Sequence, residues 1–414
     1  KYPMKLISTI PPSSGPAWTS ILSGVYPNIH GVYDFRTIYA DKNGSLNRKI
    51  VTSADIHAPR LPELLAMNKI STVTINAPFF YPFKYTYLKR GYSVIVTGWE
   101  SPVNKVFPME LEAKYKEYLV TPKPDWARKT NIRRYFYTIR KDLEQRLNLF
   151  NELLESYNWS VYSIIFSESD WIMHSSVDVH KGKFDKNISG VLSLIDSFIG
   201  RAMRYSDNII VISDHGFKLY SSVLHFNNYL LNKGLLKVKY EVVTSKGKKA
   251  DFVTKVSKKF LRGKFYTLRR IFRRILSSKY RSIVKPDLEN SFISMPLSYC
   301  IYINKKKVLN AAPLIDSIIR EIGEHCDIYK YSELYNNPRH PNIPPDYFIT
   351  SKRSYVSNLV FAENYIEEKE TPNHSLYGIF ILKTINSDLE NYVLENRKCV
   401  ETIDIVPFLS LIHI

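Results

Sequence analysis

Cysteine is scarce in this chain. Its three residues, Cys300, Cys326 and Cys399, are odd in number, scattered and without metal-site spacing. They argue against a disulfide framework and for a reducing, cytoplasmic compartment. Long apolar runs are also lacking: no stretch approaches the roughly 20 residues that cross a bilayer as a helix. No signal peptide or internal repeat is visible, and there is no low-complexity segment beyond one basic stretch. Acidic residues number 39 against 58 Lys and Arg, for a net charge of +19. That imbalance is local. Between Lys237 and Lys285 there are seventeen Lys and Arg against only Glu241 and Asp251, and the remaining chain is nearly balanced. Nucleic-acid binding would rest on that segment alone and is not expected.

What is present suits a globular protein with a large core and one or two domains: 414 residues, 44% of them hydrophobic and 14% aromatic. Strands are expected at Leu6–Ile10, Ser71–Asn76, Tyr92–Thr97, Trp159–Phe166, Asn208–Ser213, Tyr299–Ile303 and Tyr377–Leu382. Helices are expected at Leu61–Met67, Tyr135–Tyr157, Ile188–Tyr205 and Leu309–Ile322. Alternation of the two over the first half is the signature of βαβ units and a mainly parallel sheet. Asn208–Ser213 reads as a fully buried strand ending in a ligand-bearing loop. Within Val253–Leu276, Val256, Phe260, Leu261, Phe265, Leu268, Phe272 and Ile275 recur at helical spacing among Lys and Arg. A helix of that kind either lies on an anionic membrane surface or is an insertion with a solvated basic face, and the second reading is preferred.

Four local patterns carry chemistry. Ser14 lies in a small-residue turn before a helix-like stretch that Gly24 closes. Asp170 and His174, spaced by four just past a strand, share one face of a helical turn and can share a cation. Asp214-His215 stands at the end of the Asn208–Ser213 strand, and His374 precedes the Gly378–Leu382 run. In open α/β sheets, sites gather outside the carboxyl ends of strands. Each pattern alone is weak. On Asp214-His215 alone, an aspartate capping the next helix beside a packed histidine is an equal alternative. Two carboxylate–histidine pairs at strand ends, with a histidine before a third strand, are harder to dismiss.

The ordered set of motifs resembles the type I phosphodiesterase / nucleotide pyrophosphatase family of the alkaline phosphatase superfamily, most closely its prokaryotic, archaeal-like members. The matching stretches are Ser8–Pro12 through Pro16–Ser20, Gly24-x-x-Pro27-x-x-His30-Gly31-Val32-x-Asp34-Phe35, Asn76-Ala77-Pro78, Asp170-x-x-x-His174, Ser213–Phe217, Asn227-x-Tyr229-Leu230 with Gly234–Leu236, His374 and the Val400–Ser410 tail. The resemblance implies an alkaline-phosphatase-like three-layer α/β sandwich, a central mostly parallel sheet with helices on both faces. It implies a catalytic core over 1–217 and 290–414, with a basic, largely helical insertion at 218–289. It also implies two divalent metal ions, one held by Asp170, His174 and His374. The other would be held by Asp214, His215 and an aspartate upstream of Lys1, so the chain is expected to lack its first strand. Ser14 aligns with the nucleophile, with Ser13 a weaker candidate. Mixed histidine and carboxylate ligation favours Zn, with Mn the alternative.

The expected reaction is hydrolysis of a phosphodiester, pyrophosphate or phosphomonoester bond in a small phosphorylated substrate, through a phosphoseryl intermediate. Phe35 stands where nucleotide pyrophosphatases carry an asparagine that stabilises the phosphoryl oxygens. Backbone N–H groups after Ser14, or Arg36, are the candidate substitutes. Trp18 replaces the arginine of the sulfatase motif and argues against that chemistry. His30 reads as structural, Asp178 and His180 as surface residues, and Tyr81, Trp99 and Glu100 as packing or pocket residues. Two other functions are weighed: a phospholipid head-group hydrolase or transferase held at an anionic membrane by residues 246–285, and a degenerate member that binds a phosphorylated ligand without turnover.

Overall fold

The computed structural model describes residues 3–98, 101, 105–115, 131–156, 158–244, 280–387, 391 and 399–412. Two four-stranded sheets form the core of the site-bearing half. In the first, Met4–Ile7 runs parallel to Cys399–Glu401 and antiparallel to Tyr377–Lys383, which pairs in turn with Ile209–Ile212. In the second, Thr72–Ala77 lies between Ser93–Thr97 and Val161–Ile164, parallel to both, and the short Val106–Phe107 strand closes the far edge antiparallel. The run Thr72–Ala77 is buried at every position, as β-branched residues covered on both faces should be. The Ile209–Ile212 strand is only half-buried throughout, unlike the fully buried strand expected. The reason is positional: it is the last strand of its sheet among the described residues, with one hydrogen-bonded neighbour.

Helices cover these sheets. The helix Ser14–Ser23 starts after Pro11-Pro12-Ser13 and stops at Gly24, whose left-handed φ of 68° lets its N–H close on the Ser20 carbonyl. With Ile405–Ile412 it buries Leu6, Phe380 and Val400 of the first sheet in one apolar cluster. The helix Ile132–Ser156 packs with Lys186–Ala202 over Val73, Ile75, Val94 and Val96 of the second sheet. The N-terminus of Lys186–Ala202 is set by the Asp185 side chain, which accepts from the N–H groups of Asn187 and Ile188.

A second body of strands and helices caps this core. Its sheet runs Ile293–Leu297, Cys300–Ile303, Tyr347–Ser351, Cys326–Lys330, antiparallel throughout. Helices Phe226–Asn232 and Ala312–Ile322 bury Tyr229, Leu230, Ile315 and Ile318 with Ile293, Met295 and Ile301.

Several segments of the expected 218–289 insertion pair with the rest of the chain. Gly216–Tyr220 pairs with Thr371–Ser375, Ser222–His225 pairs with Ser354–Ser357, and Phe226–Asn232 is cap core. The hairpin Val238–Thr244 and Tyr280–Pro286 follows, Val238 facing Pro286 and Thr244 facing Tyr280, with Val238 and Val284 packed against that core. Residues 245–279, which include the expected basic helix, lie outside the described residues. No helix among the described residues is long and apolar enough to cross a membrane.

Candidate active site

Strand direction explains why distant residues meet. Met4–Ile7, Val161–Ile164 and Ile209–Ile212 all deliver their carboxyl ends to one edge of the core, where the chain continues to Ser14, Asp170 and Asp214. His374 reaches that edge from the other side. It lies on the short Thr371–Ser375 strand, which pairs with Gly216–Tyr220 so that His374 faces Phe217 and Ser375 faces Gly216. The close approach needs glycine: a Cβ on Gly216 would sit 1.9 Å from the Tyr377 carbonyl oxygen.

The structure therefore brings together all six residues singled out in the sequence. Ser14 Oγ is 3.0 Å from His215 Nε2. Asp170 Oδ1 lies 3.6 Å from His174 Nε2, 3.5 Å from His374 Nε2 and 4.0 Å from His215 Nε2. Asp214 Oδ2 lies 3.3 Å from His215 Nε2. The donor atoms of Asp170, His174 and His374 are all within 4.8 Å of one another, a grouping able to hold a metal ion. The rings of His215 and His374 stack at 3.6 Å, and Phe217 meets His174, His215 and His374 edge-on at 4.8, 5.7 and 5.3 Å.

Outer partners orient these rings. His374 Nδ1–H donates to the Pro12 carbonyl at 3.0 Å, and His215 Nδ1–H donates to the Gly216 carbonyl at 3.1 Å. Both leave Nε2 with a lone pair aimed into the cluster, the arrangement that metal-binding histidines take from backbone carbonyls. Asp170 Oδ1 and Asp214 Oδ2 are buried and accept no hydrogen bond among the described residues. Two such oxygens facing several Nε2 lone pairs fit a cation and little else.

The charges are tightly coupled. Burial works against ionisation of Asp170, but its close approach to His374 and the charges of His174, His374 and His215 outweigh it and hold the carboxyl down at about 2. Burial pushes Asp214 up to about 7, and the negative Asp170 adds to this, while a hydrogen bond with Ser14 opposes it. Burial, then the charge of His374, drives His215 well below its ordinary value. Burial thus opposes a second negative charge beside Asp170 and a positive charge on His215.

Other residues find ordinary roles. His30 is fully buried; it accepts from Val32 N–H at 3.1 Å through Nδ1 and bonds Ser20 Oγ at 2.9 Å. His180 bonds the Met173 carbonyl at 2.9 Å and lies against Phe217, so it borders the cluster without joining it. Asp178 is exposed, as expected. Ser13 is the N-cap of the Ser14–Ser23 helix. Tyr81 packs edge-on against Phe83, and Trp99 and Glu100 lie outside the described residues.

Two supports of the site have no signal in local spacing. Asn76 is buried with a left-handed φ of 62°. Its amide donates to the Ile165 carbonyl at 2.8 Å and to Ser167 Oγ at 3.0 Å, stitching the strand end to the connection that leads to Asp170. Glu168, two residues before Asp170, forms a buried ion pair with Arg146.

The family model for type I phosphodiesterase / nucleotide pyrophosphatase matches residues 1–268, and the chain belongs to that family. It is a phosphodiesterase/pyrophosphatase-type phosphoric ester hydrolase with the alkaline-phosphatase-like fold. Among solved structures it is similar to phosphonoacetate hydrolase from Sinorhizobium meliloti 1021 in complex with phosphonoformate, at TM-score 0.56 and 13% identity over 99% of this chain and 86% of that one. It is also similar to murine ectonucleotide pyrophosphatase / phosphodiesterase 5, at TM-score 0.50 and 11% identity over 99% and 86%. An inactive form of that murine protein in complex with AMP matches at TM-score 0.50 and 12% identity over 99% and 85%. No curated protein matches the chain in sequence.

Proposed function

We propose that the chain cleaves phosphodiester or pyrophosphate bonds of a small phosphorylated substrate, with Ser14 as nucleophile and a divalent-metal cluster around it. The observation that carries the reading is the convergence of Ser14 Oγ, at 3.0 Å from His215 Nε2, with the Asp170–His174–His374 grouping. Asp170, His174 and His374 would hold one cation, and Asp214 and His215 would contribute to a second. Bound there, divalent cations stabilise a serine alkoxide and the charge that develops on phosphorus oxygens. The mixed donor set suits zinc, with manganese the alternative.

The chain's own groups do the rest. His215 Nε2 and the Asp214 carboxyl lie within reach of the Ser14 hydroxyl and orient its Oγ, whose proton passes to solvent. Attack of Ser14 Oγ on phosphorus forms a phosphoseryl ester and breaks the bond to the leaving oxygen. Water then attacks the same phosphorus, releasing phosphate product and restoring the hydroxyl. Ser14 and Gly15 occupy the first turn of a ten-residue helix. N–H groups there have no acceptor within the helix and serve as the oxyanion donors that Phe35 cannot supply. The AMP and phosphonate ligands of the structural neighbours support a small phosphorylated substrate. Three cysteines without a disulfide among the described residues support the cytoplasmic setting as part of this reading. A membrane-surface substrate rests on residues 246–285, which the site does not require.

The test is hydrolysis of bis-p-nitrophenyl phosphate, p-nitrophenyl phosphate and p-nitrophenyl sulfate, with Zn or Mn, after chelation, and in Ser14→Ala. The expected result is metal-dependent diester cleavage that falls by at least about a thousandfold in Ser14→Ala. Preference for the sulfate, or cleavage that survives both chelation and Ser14→Ala, would overturn the reading.

A further inference from the structure

One carboxylate joins the nucleophile loop to the cap. Asp34 follows the His30-Gly31 turn and is 8% exposed. Its Oδ1 accepts the N–H of Phe35 at 2.6 Å, and its Oδ2 accepts the N–H of Ser298 at 2.7 Å. Ser298 is 264 positions away in sequence. It sits in the two-residue turn between Leu297 and Cys300, which pair across the cap hairpin. The backbone on the other side of Asp34 abuts the catalytic loop. A Cβ on Gly15 would come within 3.2 Å of the Asp34 carbonyl carbon and 3.3 Å of the Phe35 nitrogen. A single residue therefore touches the helix start that bears Ser14 and the cap turn at once.

The chemistry of the contact selects aspartate. Two N–H donors require two acceptor oxygens. A carboxylate has both, whereas a carboxamide of the same shape has one oxygen and a second donor. The titratable groups facing Asp34 are Arg36 and Arg48 from the neighbouring strands, and Tyr299, Cys300, Tyr302 and Tyr355 from the cap. Burial, the largest influence, pushes the carboxyl up to about 6, against the two N–H bonds and both arginines. The folded chain therefore holds this group ionised at neutral pH at a cost in stability, and keeps the two-acceptor geometry in return. Protonation of one oxygen turns an acceptor into a donor and ends one of the two bonds.

We propose that Asp34 is a positioning residue: its two carboxylate oxygens lock the Leu297–Cys300 turn of the cap onto the loop that carries Ser14, and so set the cap's register against that loop. The kinetic part of this proposal rests on the hydrolase reading; the lock itself does not. Two full-length variants test it. Asp34→Asn keeps the volume and removes one acceptor. Ser298→Pro removes the donor from the opposite side. Tyr299, the second residue of the turn, has a left-handed φ of 62°, and turns with that feature accept proline at the first position.

The first measurement is hydrogen exchange at the Ser298 amide at about pH 7.5, wild type against Asp34→Asn. Protection is expected to fall about tenfold with the lost bond. The second is steady-state hydrolysis of bis-p-nitrophenyl phosphate. KM is expected to rise about tenfold in both variants with kcat nearly unchanged, because the cap rather than the nucleophile is displaced. Wild-type KM should rise as pH falls through about 6, and this dependence should vanish in Asp34→Asn. The thermal midpoint of Asp34→Asn at about pH 7.5 should be no lower than that of wild type, an outcome that a merely structural hydrogen bond would not give. Unchanged Ser298 protection overturns the lock whatever the kinetics show. Lost protection with unchanged KM overturns its role in register. If the wild type hydrolyses none of the substrates, the hydrolase reading fails by itself, and the exchange measurement still decides the lock.

Discussion

The donor atoms at this site are held by groups that are themselves held. His374 is fixed through Nδ1 by the Pro12 carbonyl, only two residues before Ser14, so the nucleophile loop and one candidate ligand share an anchor. Asp170 is the central charge: among the described residues it is the one carboxylate within 4.0 Å of three imidazoles. Replacing it by asparagine keeps the shape and removes the negative charge. Asp170→Asn is expected to weaken Zn binding about 10- to 100-fold, read by competition with a chromophoric chelator. Affinity within twofold of wild type would remove Asp170 from the metal centre. At this scale the sequence was informative for residues whose neighbours in sequence are also their neighbours in chemistry: Asp170 with His174, and Asp214 with His215. Asn76 and Asp34 act through contacts 89 and 264 positions away. Both stand in stretches that match the family's motifs, but nothing in their residue type or spacing told which distant backbone groups they would bind.

Elements were legible where periodicity was long. The helices at 61–67 and 186–202 and the strand at 72–77 fall within a few residues of their expected bounds. Partnering was less legible. Ile209–Ile212 has the composition of an interior strand, yet it ends its sheet among the described residues, because composition records side-chain environment and not which backbone lies alongside. Nor did the sequence suggest that Gly216 opens a strand. The Ser213–Phe217 motif reads as a loop, but its second half pairs with Thr371–Ser375 and carries His374 to the site. Gly216→Ala tests this dependence. Its Cβ would lie 1.9 Å from the Tyr377 carbonyl oxygen and 2.9 Å from Ser375 Oγ. The first of these atoms is on the Tyr377–Lys383 strand, which follows the paired strand directly, so Gly216 must move away and take the His374 pairing with it; the variant is expected to lose Zn affinity and hydrolysis together, and to lower the unfolding free energy by about 1–3 kcal/mol. Full metal binding in Gly216→Ala would show that the pairing does not set the His374 position.

On the scale of the whole molecule, two buried groups pull stability in opposite directions as pH falls. His30 is fully buried, with Nδ1 accepting from Val32 N–H, so its neutral form has the proton on Nε2, donated to Ser20 Oγ. A second proton would set Nδ1–H against that N–H. Burial, then the charge of His340, lowers His30 from 6.5 to about 3. The unfolded chain therefore binds the extra proton first. The stability this histidine contributes is present above pH 6.5 and is lost as pH falls toward 3. Asp34 has the opposite sign. Its carboxyl is raised from 3.8 to about 6, so the folded chain takes up its proton first and regains stability as pH falls through that window. Between pH 7 and pH 5 the histidine costs about 2 kcal/mol and the aspartate returns about 1 kcal/mol. Of these two the histidine has the larger effect, so together they lower the thermal midpoint over this range. His30→Gln replaces the imidazole with a group that cannot charge, and its midpoint should fall less than that of wild type, whatever its starting value at neutral pH. Asp34→Asn removes the compensating term, and its midpoint should fall more. Parallel pH profiles for all three proteins would mean that neither buried group governs the acid limb.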